Sequence, residues 1–534
     1  MRFFFLLAGV FAVSAALPLR AAEISVGADA SCTAHTIDEA LALAAGTPEV
    51  DTIRLANDQA YAGLALDIHV SVNLVGGHTA CGDTQPVGAT HLEGSGSWAT
   101  VSAFGPTAEG VDVRLEHLDI SGGGIGGDIG SFGGLAVEGN SRVHVADVAL
   151  HNNRAIFGGG IGVFGAGARL VLERNVDIHD NEATFTGGGL YVEMGTANIR
   201  PQAVSIHDNL AQSGGGLAIA SGQVNVGSDI DDQTTPITGF LIARNNAAGN
   251  GGGVFVTGQN GMLLADDTVI RDNQAVEGGG VFASTGGYAQ LASFPMGPFR
   301  HCAPSLECLR VSGNQAMRGG GVAVRNGGTA HLSRSIVRAN TAARGSALSI
   351  ADEASMLRGL GLLVVQNHCD ASQPQCDTIG MSAGTARFQY ATFADNDGRP
   401  LLLFGDGVPG NSRTTVSMDS TLVSGKPMIF GTNGAAATFA ADCVMKDSGT
   451  LEGGMGRSDI GPILFQDRAR GDYRLVAGNR AIDYCDDTHA PVEDPDLDGT
   501  PRGIEGPGAN DLGRYDLGAY EFDRIFASGI ETAL

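Results

Sequence analysis

Residues 176–193 read VDIHDNEATFTGGGLYVE, and variants of this stretch recur along the middle of the chain. On both sides of the asparagine and the glycine triplet, apolar residues alternate with polar ones, as in a β-strand whose successive side chains point to opposite faces. The copies show no helical period. One copy therefore predicts at least two short strands separated by a tight glycine corner.

Each copy is marked by an asparagine and by the glycine triplet that follows it. The anchor asparagines are Asn153, Asn181, Asn209, Asn246, Asn273, Asn314 and Asn340, with weaker copies at Asn367 and Asn396. The triplets lie at residues 158–160, 187–189, 214–216, 251–253, 278–280 and 319–321. Because one copy cannot bury its apolar residues alone, the copies are expected to stack with one copy per rung. The sequence thus predicts an all-β parallel β-helix, with asparagines hydrogen-bonded between rungs and glycines at the corners.

The composition excludes several other classes of protein and partner. Glycine accounts for 81 of the 534 residues but does not recur at every third position, which excludes collagen. The formal net charge of -26 argues against nucleic acid and anionic membranes as partners. The two lysines, Lys426 and Lys446, lie outside any Walker-type phosphate-binding motif.

The N-terminal residues predict export. An apolar run from Phe3 to Leu17 follows Arg2, and small residues precede Glu23, so residues 1–22 are interpreted as a cleaved signal peptide. No later stretch is long and apolar enough for a transmembrane segment. The protein is therefore expected to be secreted or held at the cell surface.

The cysteines fit the same compartment. Export to an oxidising environment favours four disulfides for the eight cysteines. Neighbours in sequence suggest the pairs Cys32–Cys81, Cys302–Cys308, Cys369–Cys376 and Cys443–Cys485. Because His301 and His368 each precede a cysteine, a metal site with thiolate and imidazole ligands is the alternative.

Both ends of a stacked coil expose an unpaired sheet edge and need a cover. Residues 23–100 are predicted to hold an N-terminal cap and the first rungs, with a capping box at Thr36 and Glu39 that opens a covering helix. Residues 101–435 are predicted to form the repeat body, 436–522 a C-terminal cap and 523–534 a tail.

An outward column of polar residues precedes the anchor asparagines and could carry chemistry. Two positions before the anchors lie His151, His179, His207, Arg244, Arg271, Ser312 and Arg338. The pairs His179-Asp180 and His207-Asp208, with Arg244 beside them, are candidate catalytic residues, and the cluster suits a cation, proton transfer or a uronate substrate. The structural alternative is a solvated, charged edge that discourages aggregation.

A second outward column follows the glycine triplets and contains Tyr191, Phe255 and Phe282. Aromatic rings at these positions could stack on sugar rings or contact a partner. Insertions lie close to them in sequence, so packing of loops over the rings is the alternative.

An acidic stretch near the C-terminus matches a calcium-binding pattern. Asp494, Asp496, Asp498 and Glu505 have the spacing of an EF-hand loop, in which carboxylates surround the cation. No helices are predicted on either side, and two prolines interrupt the loop. A plain hairpin turn is therefore the leading interpretation, and calcium as a cofactor is the alternative.

Two parts of the chain resemble known families. The repeats resemble those of polymorphic outer membrane proteins, and the coil resembles the right-handed, pectin-lyase-like β-helices. Residues 460–522 resemble the end of the bacterial choice-of-anchor Q proteins through the segments Gly461-Pro462-Ile463-Leu464-Phe465, Gly471-Asp472-Tyr473-Arg474-Leu475, Ala481-Ile482-Asp483, Asp498-Gly499-Thr500-Pro501-Arg502 and Asp516-Leu517-Gly518-Ala519-Tyr520-Glu521. This resemblance implies a right-handed coil and an exported protein of a kind that usually has no assigned activity.

Three functions follow as expectations. The first is a non-catalytic, exported β-helix that contacts glycans or other surfaces through its long faces. The second is a polysaccharide lyase or glycoside hydrolase that acts through the His/Asp/Arg column. The third is a structural spacer of the cell envelope without a specific ligand.

Overall fold

The computed structural model of the chain describes residues 21–124, 132–200, 202–227, 239–292, 310–370, 376–397, 402–404, 413–425, 429–431, 437–447, 454–489, 495–506 and 512–522. Within these ranges the protein is almost entirely β-structure, and successive rungs pair as parallel strands. The fold is a parallel β-helix, as the repeat predicts. Its right hand stays a prediction from the family resemblance.

Two long stacks of strands form the main faces of the coil. The strands of the first face, six of which follow a glycine triplet, are Leu66–Ile68, Val101–Gly105, Leu135–Gly139, Ile161–Phe164, Leu190–Glu193, Leu217–Ala220, Val254–Thr257, Val281–Ser284, Val322–Arg325, Leu348–Ile350, Ile379–Met381, Leu402–Phe404 and Ile429–Gly431. The strands of the next face are Val111–Ser121, Ser141–His151, Arg169–Leu172, Thr196–Ile199, Gln223–Val226, Met262–Asp266, Tyr288–Ala292, Thr329–Ser333, Met356–Leu360, Gly384–Gln389, Thr414–Val423 and Ala437–Lys446.

Shorter strands complete each rung. Those that lead into the asparagine are Val176–His179, Gln202–His207, Gly239–Ala243, Thr268–Arg271, Arg310–Ser312, Ile336–Arg338, Leu363–Val365 and Thr392–Ala394. Those between the asparagine and the glycine corner are Arg154–Phe157, Glu182–Thr186, Leu210–Ala211, Asn246–Ala247, Gln315–Arg318, Thr341–Arg344 and His368–Cys369. A rung therefore has up to four strands, whereas the sequence pattern predicts at least two.

The core is a set of apolar columns. Ile178 pairs in register with Ile206 and with Leu150 on its other side, and all three are fully buried. Apolar residues, most of them aliphatic, form one continuous cluster along the coil from Ile24 to Val444. Stacking of similar rungs removes the apolar side chains of each column from water. This burial of apolar surface is the main contribution to the stability of the fold.

The anchor asparagines form a buried amide ladder. In each step, the backbone N–H and the side-chain Nδ2 of one asparagine both donate to Oδ1 of the next, as Asn181 does to Asn209 at 3.0 Å. The same Nδ2 also donates to a carbonyl of the preceding rung, as that of Asn181 does to Leu150 at 2.9 Å. The ladder runs from Asn153 to Asn396, so the predicted hydrogen bonding between rungs is confirmed.

The glycine triplets are required by their backbone geometry. The first glycine adopts a positive φ, for example 71° at Gly187, which favours glycine. The second and third lie against the next rung: a Cβ at Gly188 would meet the carbonyl oxygen of Gly215 at 2.5 Å or less, and one at Gly189 would lie 2.7 Å from that of Gly216. The predicted structural role of the triplets is confirmed.

The N-terminal residues form the first rungs and one short helix. The strands are Glu23–Val26, Asp51–Ala56, Tyr61–Leu64, Val72–His78 and Thr90–Gly94. The helix Ile37–Ala44 begins at Thr36, whose side chain accepts from the backbone of Glu39 while Glu39 caps the backbone of Thr36, as predicted. Its apolar side joins the core, and its role as a cover for the end of the coil stays a prediction. In the part of the chain that the structure describes, no helix has the length and apolar character needed to cross a membrane.

The C-terminal segment folds back along the side of the last rungs. The strands Gly454–Met455 and Ser458–Ile460 still add to the coil by parallel pairing with Ala437–Lys446. The antiparallel hairpin Phe465–Asp467 and Asp472–Leu475 and the 3-10 turns Arg468–Arg470 and Asp487–His489 follow them. Tyr473 and Ala519 pack against Leu363, Val365 and Ala394, whose side chains flank the buried core column. The outward residues of these rungs are apolar because this segment covers them.

Three of the four predicted disulfides are present. Cys32–Cys81, Cys369–Cys376 and Cys443–Cys485 are bonded. Cys302 and Cys308 lie outside the described residues, as do residues 1–20 of the predicted signal peptide and the tail from residue 523. Disulfides are typical of proteins that fold in an oxidising compartment.

A charged network on one outer face is centred on Glu173. Its carboxylate is 8% exposed, accepts from Arg114 Nη2 at 2.7 Å and lies 3.0 Å from His144 Nδ1. Burial alone would raise the pKa of Glu173, but the hydrogen bonds of Arg114 and His144 outweigh it and lower the pKa to about 2. The ionised carboxylate is therefore favoured in the folded protein.

This network predicts a specific loss of stability in acid. Because the folded pKa of Glu173 lies below its unfolded value, its contribution is fully present above about pH 4.5 and is lost as the pH falls toward 2. Denaturant unfolding between pH 5 and pH 2.5 should show a shallower decline for Glu173→Gln than for the wild type. The exposed Glu109→Gln variant is the control and should follow the wild type; equal slopes for all three proteins would contradict the assignment.

Candidate functional site

The structure corrects the register of the outward polar column at one rung. Asn245, and not Asn246, belongs to the amide ladder, with Asn209 donating to it and Asn273 accepting from it. Asn246 is exposed in a short strand. The prediction of Asn246 as the anchor was wrong because two asparagines are adjacent and an insertion before them obscures the spacing. Arg244 therefore lies one position before the ladder, where its φ of 53° matches those of Asp180 and Asp208.

The histidines of this column form a stack on the outer face, called here the histidine edge. The rings of His151 and His179 lie 5.2 Å apart with an angle of 14°, and those of His179 and His207 lie 5.2 Å apart with an angle of 5°. Parallel pairing in register produces the stack because each histidine ends the strand that leads into the ladder. The sequence prediction that these residues lie on one edge is confirmed.

Carboxylates and one arginine neutralise the edge. His179 Nδ1 lies 2.8 Å from Asp180 Oδ2. His207 contacts two carboxylates, with Nδ1 at 2.7 Å from Asp208 and Nε2 at 2.9 Å from Asp177. Arg244 donates to Asp208 through Nε at 2.9 Å and Nη2 at 2.6 Å.

The hydrogen bonds shift the protonation of these groups. The hydrogen bond to Asp177 is the largest cause that raises the pKa of His207, and it outweighs burial. Arg244 is the main cause that lowers the pKa of Asp208. A histidine whose two nitrogens both face carboxylates is favoured as the imidazolium, so it has no ring nitrogen left to accept a substrate proton. His207 is therefore better suited to ionic stabilisation than to base catalysis.

The predicted aromatic column does not form a bare platform. Tyr191 is 5% exposed and packs on Phe157 with ring centres 5.2 Å apart. Phe282 is 3% exposed and stacks on the half-buried Phe255 at 5.8 Å. Neighbouring rings cover Tyr191 and Phe282; the insertions expected to pack over them lie largely outside the described residues, so loop packing stays a prediction.

The acidic C-terminal stretch is engaged in local contacts. Asp496 is buried and accepts from the backbone N–H groups of Thr500 and Glu521, and burial raises its pKa to about 6. Asp498 is paired with Arg474 at 2.8 Å. Glu505 is exposed, and Asp494 lies outside the described residues. These contacts are those of a structured turn, and calcium binding stays a prediction.

An open cavity lies where the aromatic column changes to small residues. Phe282, Ala323, Ser349 and Gly380 occupy successive rungs at the same outward position. Beyond the ring of Phe282, these small side chains leave a cavity of about 610 Å³, including its open mouth. The enclosed part of this volume is about 90 Å³, and the rest is open to solvent.

Three arginines surround this cavity, called here the arginine cavity. Arg318 and Arg344 pair in register beside the glycine corner, and Arg325 ends a strand of the floor. Glu277, 8% exposed, accepts from Arg318 at 3.0 Å and from Arg325 at 2.8 Å. Its two ion pairs hold the guanidinium groups at the cavity wall.

The arginine cavity has the opposite charge sign from the whole chain. Arg318, Arg325 and Arg344 contribute three positive charges, against Glu277 and Asp377, which leaves one net positive charge in a chain of net -26. Sequence reasoning did not find this cavity, because its charged residues belong to different rungs and to corner positions. The visible signal was the change from Phe282 to small residues along one column.

The comparisons with known proteins leave the family open. No protein-family model matches the chain, and no curated protein matches it significantly. The resemblances of the repeats and of residues 460–522 therefore stay predictions.

Proposed function

We propose that this protein is an exported, non-catalytic β-helix that binds acidic glycans in the arginine cavity. The observation that carries the proposal is the set of three arginines around Glu277 at an open cavity in an otherwise acidic chain. The predicted signal peptide and the disulfides support a location at the cell surface or outside the cell.

The chemistry of the cavity favours a carboxylated sugar. Guanidinium groups bind carboxylates through paired, directional hydrogen bonds. The floor adds the hydroxyl of Ser349 and the flat backbone at Gly380. A uronate carries hydroxyl groups together with its carboxylate, so it matches both the hydroxyl of the floor and the guanidinium groups of the wall. The excess of negative charge elsewhere would repel an anionic chain, which leaves this position as the favourable one for it.

The contacts within the histidine edge support a non-catalytic function. A lyase or hydrolase needs a base or acid that can exchange a proton with substrate. His207 faces Asp177 and Asp208, and Arg244 holds Asp208. The second candidate function is a polysaccharide lyase or hydrolase that acts through His179, Asp180 and His207. Turnover of a polysaccharide substrate would identify it.

Binding of oligogalacturonate tests the proposal. Calorimetry should detect binding of tetragalacturonate and no binding of the uncharged galactose tetramer. Arg344→Ala should weaken binding by at least about tenfold, because it removes one charged donor while both ion pairs of Glu277 remain. The control is Arg142→Ala, which removes an exposed arginine paired with Asp112 at 3.5 Å and should bind like the wild type.

Three results would contradict this function. Equal binding of tetragalacturonate by Arg344→Ala and the wild type would show that the ligand does not bind in the arginine cavity. Equal affinity for an acidic peptide would show an anion site without sugar selectivity. Product formation that His207→Ala abolishes would establish the enzyme alternative.

A further inference from the structure

The first rungs bring together two histidines and an aspartate that the repeat pattern does not connect. His91 pairs in register with Asp119, and the next residues in the two strands, Leu92 and Ile120, pair in the core column. Ile120 pairs in turn with Leu150, which precedes His151. Three consecutive rungs thus place His91, Asp119 and His151 on the same outer face as the histidine edge.

The three side chains converge on one point. Asp119 Oδ2 lies 3.0 Å from His91 Nδ1, and Asp119 Oδ1 lies 2.6 Å from His151 Nε2. One nitrogen or oxygen donor from each residue lies within 4.8 Å of the others. The imidazole rings of His91 and His151 are near-parallel, with centres 6.4 Å apart. The carboxylate of Asp119 lies between the two imidazoles, with one oxygen facing each ring.

The nitrogens that face away from Asp119 have partners of their own. His91 Nε2 lies 3.3 Å from the hydroxyl oxygen of Ser121. His151 Nδ1 lies 2.8 Å from Nδ2 of Asn152, which donates to it in this orientation, and a flip of the amide would place the accepting oxygen there instead. Ser121 can accept a ring N–H from His91, and the flipped Asn152 amide can accept one from His151, so each ring can give up the proton that it shares with Asp119 when a metal ion binds. Metal-binding histidines are oriented in this way by the partner of the other ring nitrogen.

The rest of the edge and the other clusters lack this arrangement. At His207 the neighbouring Asp208 already binds the guanidinium of Arg244, so a positive charge occupies that rung. Among the described residues, two further groups have donors at similar separations, but Cys32, Cys81 and Cys443 in them are bonded in disulfides. The group at Asp119 keeps two imidazoles and a carboxylate available.

We propose that His91, Asp119 and His151 form a binding site for a divalent metal ion of the zinc type. Two imidazole nitrogens and one carboxylate oxygen are the donors that zinc accepts, and three protein ligands leave a position for water. The side chains are 48%, 34% and 21% exposed, so the ion reaches them from solvent. The bound ion would tie three successive rungs and replace the protons that the two rings share with Asp119.

Zinc binding to the full-length mature protein tests the site. Calorimetry with zinc chloride, in a buffer that does not bind the metal, should show one ion per chain. His91→Ala, Asp119→Asn and His151→Ala should each weaken binding by more than about tenfold. Zinc should also raise the thermal unfolding midpoint of the wild type and leave that of Asp119→Asn unchanged.

The matched control is His179→Ala, which removes the ring that stacks on His151 but none of the three ligands. It should bind zinc like the wild type. Circular dichroism without metal should confirm that all variants are folded. Cobalt should give the visible spectrum of a tetrahedral site with nitrogen and oxygen ligands in the wild type, and none of the three ligand variants should show it. Absence of zinc binding at micromolar concentration, or binding that survives His91→Ala and is lost in His179→Ala, would overturn the proposal.

Discussion

Asn245→Ala is expected to lower the free energy of unfolding by about 3–5 kcal/mol. Asn245 is 1% exposed, and its Oδ1 accepts from both the backbone N–H and Nδ2 of Asn209, each at 3.0 Å. Alanine leaves these two buried donors without an acceptor, and each such loss costs about 1–3 kcal/mol. It also interrupts the amide ladder at its centre, because Nδ2 of Asn245 no longer donates to Asn273. Urea unfolding followed by circular dichroism measures the change.

The adjacent residue supplies the control. Asn246 has the same side chain but is exposed outside the ladder, so Asn246→Ala should change the free energy of unfolding by less than about 0.5 kcal/mol. A larger loss for Asn246→Ala than for Asn245→Ala would restore the register that the repeat spacing alone suggests. Equal small losses would mean that the ladder contributes little to stability.

Gly252→Ala is expected to cost about 3 kcal/mol or more. A Cβ at Gly252 would lie 2.5 Å from the carbonyl oxygen of Gln274 and 2.6 Å from that of Gly279. Both oxygens belong to the backbone of the next rung, which cannot move without breaking the hydrogen bonds of the stack. Overpacking against side chains typically costs 1–3 kcal/mol, and a fixed backbone gives less relief. The denaturation midpoint of the purified variant measures the loss.

Gly82→Ala is the control for this substitution. Gly82 is exposed, and a Cβ there would meet no atom within 4 Å. Its midpoint should equal or slightly exceed that of the wild type, because alanine reduces the freedom of the unfolded chain. A Gly252→Ala protein as stable as Gly82→Ala would show that the corners do not need glycine for close approach.

The repeat was sufficient to predict the fold, since alternation, asparagines and glycines all follow from stacking. The ladder at Asn153, Asn181 and Asn209 was found correctly because the spacing there is regular. At Asn245 the spacing fails, since an insertion lengthens the rung and Asn246 offers an equal side chain. Only the path of the backbone distinguishes the two asparagines.

The candidate sites were predictable where they lie in one column. His151, His179 and His207 share a position in the repeat, so the histidine edge was visible in the sequence. The arginine cavity was not, because Glu277, Arg318 and Arg325 meet across rungs of unequal length. Likewise His91 precedes the repeats, and its register with Asp119 depends on strands that carry no asparagine anchor.

The position of a bound acidic oligosaccharide tests the proposed function most directly. A crystal structure of the protein with trigalacturonate should place a uronate carboxylate within hydrogen-bond distance of Arg325 or Arg344, above Ser349 and Gly380, with the sugar chain uncleaved. A sugar bound or cleaved at His179 and His207, with the arginine cavity free of ligand, would contradict the account.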